Sequence, residues 1–238
     1  MLDRLRLPGL GGWSEDPLWA TFYDWSVEHR RAGGALWRLG IGSDLGRLYA
    51  AAAEIGRQPA GSAVLDIPCG GGVALRGLRP GQGVRYVAAD IAPAMLERTM
   101  SAARARGVAD QVETRVADVS DLPFEDGEFD LVVSFTGLHC FPDPHRAVLE
   151  MGRVTHEGGV LTGSALLNAP LLSRGGLRTL PVRRIGRFSG LLGPSATKAE
   201  VRRWLAEAGF AEITLEMSGA IGYFRGVKDA TRLRSVRA

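Results

Sequence analysis

Three acids and a serine hold most of the chemistry open to this chain: Asp66, Asp90, Asp118 and Ser134. Each follows a short apolar or β-branched run. Val64-Leu65 precedes Asp66, Tyr86-Val87-Ala88-Ala89 precedes Asp90, Val116-Ala117 precedes Asp118, and Leu131-Val132-Val133 precedes Ser134. A carboxylate at the end of a buried run needs a partner or water, because stripping its hydration uncompensated is costly. A ligand carrying a ribose diol, an amino group and an adenine would satisfy three such acids. Asp66 runs into Ile67-Pro68-Cys69-Gly70-Gly71-Gly72, and at Gly70 and Gly72 no Cβ blocks a ligand's approach to the backbone. The same glycines also suit a plain packing turn, and Asp90 also suits an N-cap for a helix starting at Pro93.

These positions are brought together only if the runs are strands of one sheet. Strands are expected at Ala63–Asp66, Val84–Ala89, Val112–Val116, Phe129–Ser134 and Val160–Ser164. Helices are expected between them, at about 72–78, 94–106 and 144–154, with Pro93 in a first turn and Gly107 past an end. Repeated strand–helix–strand units of this length imply parallel pairing with right-handed crossovers, hence an α/β, doubly wound, mostly parallel sheet. A Thr197-capped helix and two alternating runs, Ile213–Met217 and Ile221–Arg225, close the chain and bring the strands to seven. Ahead of the sheet, residues 1–58 read as a Gly-rich leader and a helical cap. Its helices span Pro17–Arg31 and, capped by Ser43, Leu45 to about Ile55, with Gly33-Gly34 as an interruption. Residues 59–238 form the main domain, with an irregular insertion at about 166–195. In an open parallel sheet, ligands bind beyond the carboxyl ends of the strands, where the four positions above fall.

Composition narrows the partners. With 45% hydrophobic and 23% charged residues the chain is that of a globular protein, and its longest apolar runs are far too short to span a membrane. Cys69 and Cys140 are the only cysteines and lack metal or redox spacing, which makes a reducing, cytoplasmic setting the default. The four histidines form no ligand cluster, and a net charge of +3 does not argue for nucleic acid. Between Leu166 and Lys198, however, five arginines and many leucines occur without an acid. That segment reads either as a lid over an acceptor site, with peripheral contact to an anionic membrane surface, or as a solvated basic loop.

Taken in order, the motifs resemble the class I S-adenosylmethionine (SAM) methyltransferases, most closely their type-11, ubiquinone/menaquinone-biosynthesis-like branch. Val64–Gly72 resembles the first motif and Ala88–Leu96 the second. Val116–Val119 through Leu122-Pro123-Phe124, and then Phe129–Ser134, resemble the next two. Leu138–Pro144 and Gly158-Gly159 complete the order. The resemblance implies a Rossmann-like methyltransferase fold with SAM as cofactor and a small-molecule acceptor. It implies that the turn at Pro68, Cys69 and Gly70 faces the methionine end, with Asp66 and Gly72 also among the cofactor-binding residues. Asp90 would hold the ribose, with Ile91 on the adenine. Asp118 would accept from the adenine amino group, Val119 would offer a backbone contact, and Ser134 and Phe135 would line the path to the methyl group. Pro68 stands where the family usually has glycine, so an amide contact there is lost.

Just beyond the fourth strand, His139 is the candidate general base, with a locally bonded loop histidine as the other reading. Tyr23 and Asp24 are candidates to close over the methionine end. A dinucleotide oxidoreductase would need glycine where Leu75 stands, and the Pro-Pro-Tyr/Phe type motif of nucleic-acid methyltransferases is replaced by Ser134-Phe135-Thr136-Gly137. The expected function is methyl transfer to oxygen or carbon of a small, lipophilic acceptor that is quinone-, lipid- or natural-product-like. A non-catalytic SAM-binding regulator is the alternative. The oligomeric state is left open.

Overall fold

The computed structural model describes residues 25–168 and 196–229. Tyr23, Asp24, the leader and most of the expected lid lie outside the described residues. The strands are β1 (Ala63–Asp66), β2 (Arg85–Asp90), β3 (Val112–Val116), β4 (Phe129–Phe135), β5 (Thr155–Leu166), β6 (Phe210–Ser218) and β7 (Ile221–Lys228). The helices are α1 (Arg30–Gly40), α2 (Leu45–Ala52), α3 (Pro93–Ala105), α4 (Pro144–Val154) and α5 (Lys198–Glu207). All seven strands join one sheet in the order β3-β2-β1-β4-β5-β7-β6. Pairing is parallel from β3 through β5, and β7 runs antiparallel to both β5 and β6. This is the doubly wound α/β sheet that the strand–helix alternation predicts.

Side-chain alternation along the strands builds a core on each face. Val64, Tyr86, Ala88, Leu131 and Val133 pack with Trp37, Leu48, Ile55, Leu75 and Leu96 on one side. Leu65, Val87, Ala89 and Val132 pack with Val148, Met151, Val201 and Leu205 on the other. Because both faces are covered, the central strands read as unbroken apolar runs. Their polar exceptions therefore stand out.

Several elements differ from expectation. Gly33 and Gly34 do not interrupt a helix; α1 runs through both. The chain turns at His29 so that Gly33 lies against Ser26, where an added Cβ would sit 1.6 Å from the Ser26 carbonyl oxygen. The cap of α2 is Asp44, whose carboxylate accepts from the Gly46 N–H, rather than Ser43. The expected helix at 72–78 is only a 3₁₀ turn, Val73–Gly77, pressed so closely on α2 that a Cβ on Gly77 would lie 1.9 Å from the Ala52 carbonyl oxygen. β5 starts at Thr155, which pairs with Phe129, and it absorbs Gly158-Gly159 where the register shifts. At α5 the expectation holds in detail. Thr197 and Glu200 form a reciprocal capping box.

One connection is unusual. Residues 117–128 cross from edge strand β3 to β4 with no helix, and contain only an isolated bridge between Asp118 and Asp121.

Candidate active site

Strand order reverses between β1 and β4, which lie side by side although β2 and β3 separate them in sequence. Doubly wound sheets open a crevice at such a point. Here a cavity is lined by Asp66 through Gly71 after β1, Asp90, Ile91 and Met95 after β2, and Ala117, Asp118 and Val119 after β3. Phe135, Thr136, Cys140, Phe141 and Pro142 line its remaining wall, beyond β4.

Asp90 organises the cleft. It is 5% exposed, and its two carboxylate oxygens accept from the Gly70 and Ala92 N–H groups, each at 3.0 Å. Burial raises its pKa, against the pull of the N–H groups of Ala92, Gly70 and Ile91. Asp90 thus braces the residue that caps α3 and also borders the cavity. Ile91, by contrast, is 65% exposed. A large aliphatic side chain left open in a cleft is suited to cover a flat apolar ligand surface.

The Gly-rich turn is held from below by Thr99 of α3, a fully buried residue whose hydroxyl donates to the Gly70 carbonyl at 2.7 Å and contacts Cys69 Sγ at 3.4 Å. Gly70 has φ 51° and open space where a Cβ would lie, so its backbone faces the cavity. Gly72 does not line the cavity. It has φ 85° and packs against α3, where a Cβ would meet Leu75, Ala102 and Thr99 within 3.3 Å. Its glycine is required for the turn and for packing. The Ile67–Pro68 peptide is cis, and Pro68 lines the cavity. Burial, with the charges of Asp66 and Asp90, raises the Cys69 pKa well above the ordinary thiol value and keeps it protonated.

Asp66 is 1% exposed and accepts from the Tyr86 hydroxyl at 2.7 Å. Burial pushes its carboxyl up to about 8, against the Tyr86 hydrogen bond and with the help of the Asp90 charge. Asp118 is its opposite. Exposed, it accepts from the Ser120 N–H and hydroxyl at 2.8 and 2.7 Å, and these bonds hold its pKa low.

Besides Gly72, two expected residues are placed elsewhere. Ser134 is fully buried and is not part of the cavity wall. Its neighbours leave little room: a Cβ on Gly137 would lie 2.5 Å from Pro68, 2.8 Å from Ser134 Oγ and 2.9 Å from Phe141. His139 also lies outside the wall, and its Nδ1 accepts from the Leu166 N–H at 3.1 Å. A neutral imidazole has one ring lone pair, and that pair is already engaged, so His139 has none left for taking a substrate proton. Enclosure of its ring pushes the pKa down to about 4. The loop-histidine reading fits this placement, and the general-base reading does not.

Sequence reasoning also missed Thr136. It has φ 55°, a left-handed conformation that a β-branched residue adopts at a cost, and it lines the cavity. Bonds from its N–H to the Ser164 carbonyl at 2.8 Å and from its hydroxyl to the Phe135 carbonyl at 2.7 Å hold it there. No propensity rule signals such a position. Gly137 leaves a clearer sign, as a glycine directly after a strand end. Gly137→Ala should displace Pro68 and Phe141 and cost about 1–3 kcal/mol of stability. Urea unfolding measures this, and an unchanged midpoint would contradict the crowding described.

The lining suits an adenosyl ligand: a buried acid whose Oδ atoms face N–H donors at the cleft, an open aliphatic residue beside it, and a glycine turn without Cβ obstruction. Comparisons with known proteins agree. A family model described as "Methyltransferase domain" matches residues 65–162. A demethylmenaquinone methyltransferase of Clavibacter sepedonicus is 31% identical over 214 residues, covering 82% of this chain and 84% of that protein. The chloroplastic tocopherol O-methyltransferase of Arabidopsis thaliana is 36% identical over 96 residues, which are 40% of this chain and 28% of that one. The chain therefore spans well under half the length of that relative. In fold, a protein from Bordetella parapertussis superposes with a TM-score of 0.72 at 21% identity, covering 89% of this chain and 79% of its own. Strand order, cleft and relatives converge: the chain belongs to the class I SAM-dependent methyltransferases, in the type-11 branch.

Proposed function

We propose that this protein transfers the methyl group of SAM to an oxygen or carbon atom of a small lipophilic acceptor that is quinone-, lipid- or natural-product-like. The observation that carries the reading is the division of the cavity. Among the described residues, its carboxyl side chains are Asp66, Asp90 and Asp118, all on the β1–β3 side. The wall beyond β4 consists of Phe135, Thr136, Cys140, Phe141 and Pro142. Such a wall favours an apolar partner and excludes water.

When bound, the sulfonium supplies an electrophilic methyl carbon and a leaving group that departs neutral. The protein's part is placement. Holding acceptor and methyl carbon in line at near-contact distance supplies much of the acceleration. Pro68, Cys69 and Gly70 would face the methionine end, with Asp66 beneath them. Asp90 would take the ribose hydroxyls, Ile91 would cover the base, and Asp118 with Val119 would meet its amino edge. Phe135 and Thr136 would border the route of the acceptor.

The relatives named for demethylmenaquinone and tocopherol support an acceptor of this class. The acid-free, arginine-bearing sequence between Leu166 and Lys198 supports drawing it from an anionic membrane surface on the cytoplasmic side. Among the described residues no helix is long and apolar enough to cross a membrane.

The test is turnover. Purified protein, SAM and a panel of lipophilic hydroquinones and phenols should yield S-adenosylhomocysteine and a product heavier by one methylene, by mass spectrometry. Tight SAM binding with no S-adenosylhomocysteine formed across the panel would instead favour a regulatory SAM-binding protein.

A further inference from the structure

The adenine end of the cleft stands on a stretch that the sheet does not hold. Asp118 and Val119 belong to the helix-free crossover 117–128, and β3, which leads into it, is the edge of the sheet. One face of α4 grips this crossover. Arg146, Glu150 and Arg153 are spaced by four and three residues and so share a helical face. Arg146 Nε donates to the Ser120 carbonyl at 3.0 Å. Glu150 Oε2 accepts the Leu122 N–H at 3.0 Å. Arg153 donates to the Leu122 and Phe124 carbonyls, each at 2.9 Å, and to Asp126 at 2.8 Å.

The grip is internally braced. Arg153 also meets Glu150 at 2.9 Å, with the glutamate side chain 6% exposed. Burial alone would raise the Glu150 pKa, but Arg153, the Leu122 N–H and Arg146 together hold it below the usual range. Four backbone groups of the crossover, on the alternate residues Ser120, Leu122 and Phe124, are thus tied to one charged set. Ser120, whose carbonyl Arg146 holds, is also the residue whose N–H and hydroxyl orient the Asp118 carboxylate. Position passes from helix face to peptide, and from peptide to acid.

We infer that Arg146, Glu150 and Arg153 form a positioning clamp that aims Asp118 and Val119 at the amino edge of the cofactor's base and so sets selectivity for adenine. This rests on the proposed placement of the base between Ile91 and Asp118. The Ala117 N–H bond to the Asp90 carbonyl and the Asp118–Asp121 turn, each at 3.1 Å, fix the start of this crossover, and the α4 face holds the peptides from Ser120 to Phe124 that the sheet does not reach. A shift of about 1 Å suffices to lose such a bond. Arginine is required at 153 because a planar fork reaches two carbonyls and two carboxylates at once, which a lysine ammonium does not.

The test uses two ligands: S-adenosylhomocysteine and S-inosylhomocysteine, in which a ring carbonyl replaces the 6-amino group. Wild type should prefer the first, because Asp118 accepts from an amine and repels a carbonyl. By calorimetry, Arg153→Met should shrink that preference about tenfold, and Arg153→Lys should fall between. Arg146→Met removes the Ser120 contact and a 3.6 Å pairing with Glu150 from a side chain that is 53% exposed, so it should stay folded and show a smaller loss in the same direction. If Arg153→Met does not fold, Arg146→Met carries the comparison. A clamp that merely stabilises the fold would lower the melting temperature and weaken both ligands alike; an unchanged ratio in folded variants would overturn the proposal. Equal binding of both ligands by wild type would remove the adenine placement and the clamp with it, so the two failures are read from different proteins.

Discussion

Asp90→Ala should weaken SAM binding by about 1.5–3 kcal/mol, roughly 10- to 150-fold in dissociation constant. Two losses combine. The ribose hydroxyls lose a charged acceptor, and the Gly70 and Ala92 N–H groups lose the oxygens that now hold them at 3.0 Å. The second loss loosens the turn meant for the methionine end, so the effect reaches beyond one contact. Asp90→Asn should be milder, since its amide oxygen still satisfies one of the two N–H groups while its NH₂ faces the other. Titration calorimetry gives the affinities, and circular dichroism confirms folding. An Asp90→Ala protein that is folded and binds SAM as tightly as wild type would undo the proposed site.

Asp66→Asn should change how stability depends on pH. A carboxyl whose pKa is raised on folding, here up to about 8, holds an extra proton in the native state. Its stabilising contribution is complete below the unfolded value, about 4, and is lost as pH rises through the folded value. Within that window wild type should lose up to about 1.4 kcal/mol per pH unit from this group. The asparagine keeps an oxygen for the Tyr86 hydroxyl but binds no proton, so its stability curve should be flatter between pH 5 and 8. Some slope will persist, because the Asp90 pKa is shifted in the same direction. Binding offers a second reading. If the cofactor's ammonium needs Asp66 ionised, SAM binding near pH 7 releases a proton, and its enthalpy should vary with the buffer in wild type but not in the variant. Parallel stability curves for the two proteins would show that Asp66 is ionised in the native state and would remove the prediction.

The parallel sheet was legible because its signals are local: at β1, β2 and β4, apolar runs of strand length that lead into an acid or serine, with Gly or Pro soon after. Asp66 and Asp90 could be placed at the cleft for the same reason, since a strand's end fixes where its last side chain points, whereas Asp118 lies two residues past β3, on the crossover. What failed depends on contacts distant in sequence. Gly33-Gly34 reads as a helix breaker until Ser26 folds back against it. Gly72 looks like a ligand-facing glycine until α3 is seen to occupy the space beside it. His139 has the right residue type just beyond a strand on the ligand side, yet the Leu166 N–H, 27 residues away in sequence, takes its lone pair. Thr99 and Tyr86, which hold Gly70 and Asp66, lie outside the motif Ala88–Leu96 that their elements carry, and their roles depend on partners 29 and 20 residues away in sequence.

The anchoring of Gly70 and Ala92 by Asp90 has one more implication. Asp90 holds these two N–H groups through protein contacts alone, and the groups proposed to hold the nucleoside, Asp90, Ile91 and Asp118, would touch only what reactant and spent coenzyme have in common. Giving up the methyl would then loosen the grip very little. Exhausted coenzyme would linger and compete, and throughput would follow the ratio of fresh to used coenzyme in the cell more closely than the abundance of either.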